Sequence, residues 1–256
     1  MRKVYLLPNL FTTASLFCGL LSILNVFNVA DTAEPNTRLY EMTCWLIILS
    51  AMLDMLDGWV ARATRTESFF GAQYDSLSDV VAFGVAPAVL IYTRLSGMQN
   101  RHAAEVITTL YCICGALRLA RFNVQKSTVE KESFTGLPIP AAAGVVVSGF
   151  LFFQYIDPGW DKKYVLNILP VMMVGLSYLM VSKINYPSFK QLGLERRKPF
   201  DVLPVIVILI TIAIGLKNHL PTLLFIGFIG YVAWGVIWHA ITSFTKTPED
   251  SETKTI

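Results

Sequence analysis

The chain has 256 residues, 54% of them hydrophobic and 15% charged, with a formal net charge of +3. So apolar a composition excludes a soluble domain of this length and points to a bilayer, with no nucleic-acid partner expected. Cys18, Cys44, Cys112 and Cys114 lie in apolar stretches without Cys-x-x-Cys spacing, and His102, His219 and His239 are scattered, so neither a disulfide framework nor a zinc site is indicated.

Apolar stretches close to the roughly 20 residues needed to cross a bilayer recur along almost the whole chain. In order they predict helices over about 10–30, 39–61, 79–96, 103–121, 138–156, 164–182, 201–216 and 221–243. The first follows Met1-Arg2-Lys3, lacks a small-residue cleavage site and opens on the polar set Pro8, Asn9, Thr12 and Thr13, so it reads as a retained helix rather than a signal peptide. The seventh is short, with Pro204 near its start, and six or seven spans is the alternative count. The expected fold is an all-α integral membrane bundle of about eight transmembrane helices. A single domain covers 1–244, and a polar tail from Thr245 to Ile256 is expected to be disordered.

A cytoplasmic N-terminus places Arg2, Lys3, Arg62, Arg65, Arg118, Arg121, Lys126, Lys131, Lys183, Lys190, Arg196, Arg197, Lys198, Lys246 and Lys254 on that side, 15 of the 21 Lys and Arg residues. The positive-inside bias therefore puts both termini in the cytoplasm, and accounts for the Arg196-Arg197-Lys198 run. No internal repeat or matched pair of interrupted helices marks a secondary transporter.

Two acidic pairs carry the chemistry. Asp54 and Asp57 are i, i+3 neighbours on the second helix, and Asp75 and Asp79 are i, i+4 neighbours at the start of the third, so each pair shares one face. A short connection makes the two helices antiparallel and lets the pairs face each other. Four carboxylates at membrane depth repel unless a cation sits between them. All-oxygen ligands favour Mg²⁺, Mn²⁺ or Ca²⁺ over zinc, and four carboxylates suit a two-metal clamp for phosphoryl transfer. Gly58 and Ala61 leave space on the Asp57 face, for a ligand or for a neighbouring helix, and Arg62 one turn on can neutralise a phosphate.

The order Asp54-x2-Asp57-Gly58-x2-Ala61-Arg62-x8-Gly71-x3-Asp75-x3-Asp79 resembles, in residues and spacing, the signature of the CDP-alcohol phosphotransferases. That resemblance implies a six-helix family core followed by two C-terminal helices, and direct displacement at the phosphate of a CDP-linked lipid with release of CMP. It also implies that Asp54, Asp57, Asp75 and Asp79 hold the metals, that Asp79 takes the proton of the attacking hydroxyl, and that Asp57, Gly58, Ala61, Arg62 and Gly71 line the CDP pocket. Homodimers are common in the family.

Three further segments look like the phosphatidylserine-forming branch: Leu7-Pro8-Asn9-Leu10-Phe11-Thr12, Arg118-Leu-Ala-Arg121-Phe-Asn123, and Phe134-Thr-Gly136-Leu-Pro138-Ile-Pro140-Ala-Ala-Ala143. They imply CDP-diacylglycerol and L-serine as substrates. Arg118 and Arg121, i, i+3 neighbours, either grip a carboxylate or lipid phosphate, with Asn123 beside them, or only obey the topology rule. Asn9 and Thr12 either bind nucleotide or bridge helices. Gly136, Pro138 and Pro140 read as a rigid turn into the fifth helix. The alternatives are the same chemistry with glycerol 3-phosphate or inositol phosphate, and a divalent cation transporter whose carboxylates hold ions in transit.

Overall fold

The computed structural model describes residues 6–30, 37–64, 66, 68–96, 101–126, 133–156, 162–187 and 219–245. Helix α1 spans Leu6–Ala30, α2 Thr37–Ala63 and α3 Phe69–Asp79, which runs through a π-helical turn, Val80–Val85, into α4, Ala86–Ser96. Then come α5, Arg101–Lys126; α6, Ile139–Ile156; α7, Lys162–Val181; and α8, Leu220–Thr245. Among the described residues, five stretches are long and apolar enough to cross a membrane: Asn9–Asn28, Arg38–Ala63, Phe69–Leu95, Arg101–Val124 and Leu220–Ile241. Ile139–Tyr155 and Ile168–Val181 are shorter apolar helices. The chain is an all-α multi-pass membrane protein. The predicted helix at 201–216, the Arg196-Arg197-Lys198 run and the tail after Thr245 lie outside the described residues.

The third helix corrects the sequence reading. It begins at Phe69 rather than near residue 79, with Ser68 in extended conformation as its N-cap, accepting from Gly71 N at 3.0 Å. Asp75 and Asp79 therefore sit in its second and third turns. A search for apolar runs starts too late here because the carboxylates dilute the run.

Helix neighbours are set by small and polar contacts as much as by apolar ones, as expected where lipid offers no hydrophobic drive between helices. Antiparallel α1 and α2 are clasped at Ser15 and Ser50, whose hydroxyls lie 2.7 Å apart and each 3.0 Å from the other's carbonyl oxygen. Helix α5 runs antiparallel to α3–α4, from Asn123 at Ser76, through Tyr111 at Phe83, to Glu105 at Tyr92. Helix α6 is the most enclosed, with Ala142, Ala143, Val145, Val146 and Val147 buried. Its Phe152 stacks on Phe225 of α8 at 4.9 Å, and its Gly144 lies where a Cβ would strike the Phe228 ring. Phe17, Met55, Leu117 and Ile226 are exposed, an apolar surface suited to lipid.

The π turn has a covalent origin. Pro87 has no N–H, so the Phe83 carbonyl loses the donor that an α-helix would supply four residues on. The ladder widens instead, with Ala86 N–H reaching Val81 O, and the buried Tyr111 hydroxyl donates to Phe83 O at 3.2 Å. One extra residue per turn rotates the Asp75/Asp79 face by about 100° relative to the packed face of α4. A Tyr111→Phe protein, losing one hydroxyl at membrane depth, is expected to be about 1–2 kcal/mol less stable, read as a lower melting temperature in detergent.

Among the described residues, two three-residue strands pair. In β1, Ser133–Thr135, Phe134 pairs with Tyr186 of β2, Asn185–Pro187. Gly136 follows at φ +86°, a left-handed conformation that glycine alone adopts without strain, in space bounded by the Met180 carbonyl. Gly136 N donates to Ile184 O at 2.8 Å and Leu137 N to Leu179 O at 3.0 Å, so the turn into α6 is tied to the end of α7. Helix α6 then starts at Ile139, where Pro140 costs no hydrogen bond.

Candidate active site

The acidic pairs meet where the last turns of α2 face the middle of α3. Ligand oxygens of Asp54, Asp57 and Asp75 all lie within 4.8 Å of one another. Asp79 approaches from the next turn of α3, its carboxyl in hydrogen-bonding contact with that of Asp54. Asp57 and Asp79 are buried, Asp54 and Asp75 half-buried. The buried Oδ1 of Asp79 has no hydrogen-bond donor among the described residues. Buried carboxylate oxygens without donors, beside three more carboxylates, are what a hard divalent cation requires of its ligands. The donor set therefore fits a metal centre.

The surrounding residues orient this cluster. Thr12 Oγ1 of α1 donates to Asp57 Oδ2 at 2.6 Å, and Ser78 Oγ of α3 donates to Thr12 O at 3.3 Å, so α1 is pinned to both acidic helices. Gly19 continues the contact one helical face along: a Cβ there would come within 2.9 Å of Ala82 Cα in the π turn. Arg62 folds back over Gly58, its Nη1 3.4 Å from where a Gly58 Cβ would lie, and Ala61 is half-buried beside it. At Gly71 a Cβ would sit 3.0 Å from Ser68 Oγ and 3.3 Å from Asn9 Oδ1, so Asn9 lies against the N-terminus of α3. Thr13 and Tyr74 hydroxyls meet at 3.0 Å nearby. Asn9, Thr12, Gly58, Arg62 and Gly71 thus gather on the α1–α2 side of the cluster.

The two arginines of α5 part company. Arg118 is buried, stacked over Phe122 at 5.3 Å and within electrostatic reach of Asp79. Arg121 instead donates to Val181 O at 3.2 Å, satisfying a carbonyl at the C-terminus of α7. Asn123 Nδ2 donates to Ser76 Oγ at 2.9 Å, next to Asp75. Sequence reading did not single out Tyr74, Ser76, Ser78 or the Ser68 cap. Only Ser68, three residues before Gly71, carried a local signal, that of an N-cap.

Thr12→Val keeps the shape of the side chain and removes the hydroxyl that donates to Asp57 Oδ2. The rate of the phosphoryl transfer that the family resemblance implies is expected to fall roughly tenfold, the effect of one lost hydrogen bond to a charged group, read by steady-state kinetics at saturating metal.

Residues 5–181 match the CDP-alcohol phosphatidyltransferase family profile, and the chain belongs to that family. The chain is 37% identical over 240 residues to a CDP-diacylglycerol–serine O-phosphatidyltransferase of Helicobacter pylori, covering 92% of each protein. A protein of the same name from Methanocaldococcus jannaschii is 39% identical over 189 residues, 73% of this chain and 77% of its own. An archaetidylserine synthase of Methanothermobacter thermautotrophicus is 37% identical over 191 residues, covering 73% of this chain and 72% of the relative.

Proposed function

We propose that this chain is a phosphatidylserine synthase, which transfers the phosphatidyl group of CDP-diacylglycerol to the hydroxyl of L-serine and releases CMP. The observation that carries the reading is the near full-length similarity to a relative of that name, on a chain whose acidic cluster fits a metal centre.

Asp54, Asp57, Asp75 and Asp79 hold Mg²⁺ or Mn²⁺, which when bound neutralises charge on the phosphates and on the departing CMP. Thr12 keeps Asp57 turned towards the cluster. Gly58 and Gly71, without side chains, let the nucleotide approach the backbone of α2 and α3, and Arg62 and Asn9 offer donors to it. Asp79 accepts the proton from the serine hydroxyl as its oxygen attacks phosphorus, while the bond from phosphorus to the CMP oxygen breaks and CMP leaves with the electron pair. This role is supported by the electrostatic interaction of Asp79 with Arg118, which faces it from α5. Arg62, Arg121 and Lys183 all lie at the helix ends around the site, a density of positive charge that orients this end to the cytoplasm.

The test is CMP release by purified protein in detergent with CDP-diacylglycerol and Mn²⁺ or Mg²⁺, comparing serine, glycerol 3-phosphate, inositol phosphate and no acceptor. Release with serine alone is expected. Release with another alcohol alone would keep the reaction and discard serine, and metal uptake by sealed vesicles without CMP formation would replace the enzyme by a transporter.

A further inference from the structure

In a displacement at phosphorus the attacking alcohol and the departing CMP must lie on opposite sides of the phosphate, so the site needs an acceptor side facing away from Asn9, Gly58, Arg62 and Gly71. The helix formed by α3, the π turn and α4 separates the α1–α2 pair from α5. Beyond it, Arg118 Nε and the Tyr186 hydroxyl are, like Asp79 Oδ1, buried polar atoms without a hydrogen-bond partner among the described residues. Tyr186 is 0% exposed, Arg118 and Asp79 8%. Buried polar groups are almost always satisfied, and atoms left open in one neighbourhood mark a place for a polar ligand.

The connection between them runs through Tyr231 of α8. The Arg118 guanidinium lies within electrostatic reach of Asp79 and of the Tyr231 hydroxyl, and the Tyr231 and Tyr186 rings are 5.8 Å apart. Tyr186 is held there by two devices. Its backbone pairs with Phe134 across the β1–β2 ladder, and its ring fills a notch that exists because Gly235 of α8 has no Cβ. Both tyrosines stand outside residues 5–181, the part of the chain shared with the family as a whole. Whatever they contribute is thus added to the common metal and nucleotide machinery.

We propose that Tyr186 and Tyr231, together with Arg118, form the pocket that binds the acceptor alcohol beside Asp79, and that this pocket takes a small amino-acid alcohol. The inference rests on the serine reading above and locates its specificity. The acceptor's carboxylate meets the guanidinium, which has a fork of donors and always carries charge. Phenol hydroxyls can donate to that carboxylate or accept from the ammonium. Glycerol 3-phosphate and inositol phosphate bring a dianion and no ammonium, and match this set less well.

Tyr186→Phe and Tyr231→Phe test it, since each keeps the ring and its packing and removes one hydroxyl. Steady-state CMP release is measured with serine and with CDP-diacylglycerol varied separately, with thermal melting in detergent alongside. The expected result is a KM for serine raised about five- to tenfold in each variant, the loss of one hydrogen bond in a desolvated site, with KM for CDP-diacylglycerol and the melting temperature close to wild type. An unchanged KM for serine in both overturns the proposal, as does a parallel rise of both KM values or a melting temperature lowered in step with the rate, which would make the hydroxyls structural. If the wild-type protein uses another alcohol, the serine reading fails, and the same variants measured with that alcohol still decide whether the tyrosines face the acceptor.

Discussion

An Asp79→Asn protein is expected to release CMP between about a hundred and ten thousand times more slowly than wild type, the range set by removing a general base. The substitution keeps the outline of the side chain and removes its charge and its ability to hold a proton. It should not unfold the protein: the Asn amide can donate to Asp54, with which the Asp79 carboxyl is already in contact. A normal melting curve with a rate lost at every serine concentration would therefore locate the defect in the reacting centre. A variant that kept the full rate would remove Asp79 from the mechanism and, with it, the assignment of the acceptor side to the region around Arg118.

Stripping divalent ions should have an effect as large, with a second readout that needs no turnover. Chelation is expected to reduce CMP release to background, and millimolar Mg²⁺ or Mn²⁺ to restore it. The same ions should raise the melting temperature of the wild-type protein in the absence of substrate, because an ion bound only by the folded state stabilises it by RT ln(1 + [L]/Kd), about 2.7 kcal/mol at one hundred times Kd. Three carboxylates with oxygens within 4.8 Å of one another make that stabilisation specific. An Asp75→Asn protein should need a higher ion concentration for both effects. Identical melting curves with chelator and with either ion would argue that the cluster does not bind metal.

The acidic pairs were legible in the sequence because helical spacing is a local property: i, i+3 and i, i+4 fix a shared face wherever the helix begins. The start of that helix was less legible, since a scan for apolar residues discounts the very turns that carry Asp75 and Asp79. The π turn was not legible as such, although its cause, Pro87, stands in plain view. Its effect depends on Tyr111, 28 residues beyond Phe83, to occupy the Phe83 carbonyl that proline frees. Arg118 and Arg121 look equivalent in sequence, yet one faces Asp79 and the other the end of α7. Three residues rotate a helix by about 300° rather than a full turn, and tertiary packing uses that difference. Tyr186 and Tyr231 carried no signal because only the β1–β2 ladder and the packing of α8 bring them together.

The paired serines of α1 and α2 have a consequence for how such a protein meets membranes of different thickness. Each of the Ser15 and Ser50 hydroxyls lies within hydrogen-bonding distance of the other's hydroxyl and carbonyl oxygen, so axial sliding of one helix along the other breaks every contact at once. A slip of one turn, about 5.4 Å, would also carry Thr12 away from Asp57. Hydrophobic mismatch is therefore relieved by tilting the two helices together rather than by shearing them. The depth of the carboxylates relative to the lipid headgroups then varies with the tilt of a rigid pair, while their geometry towards one another stays constant.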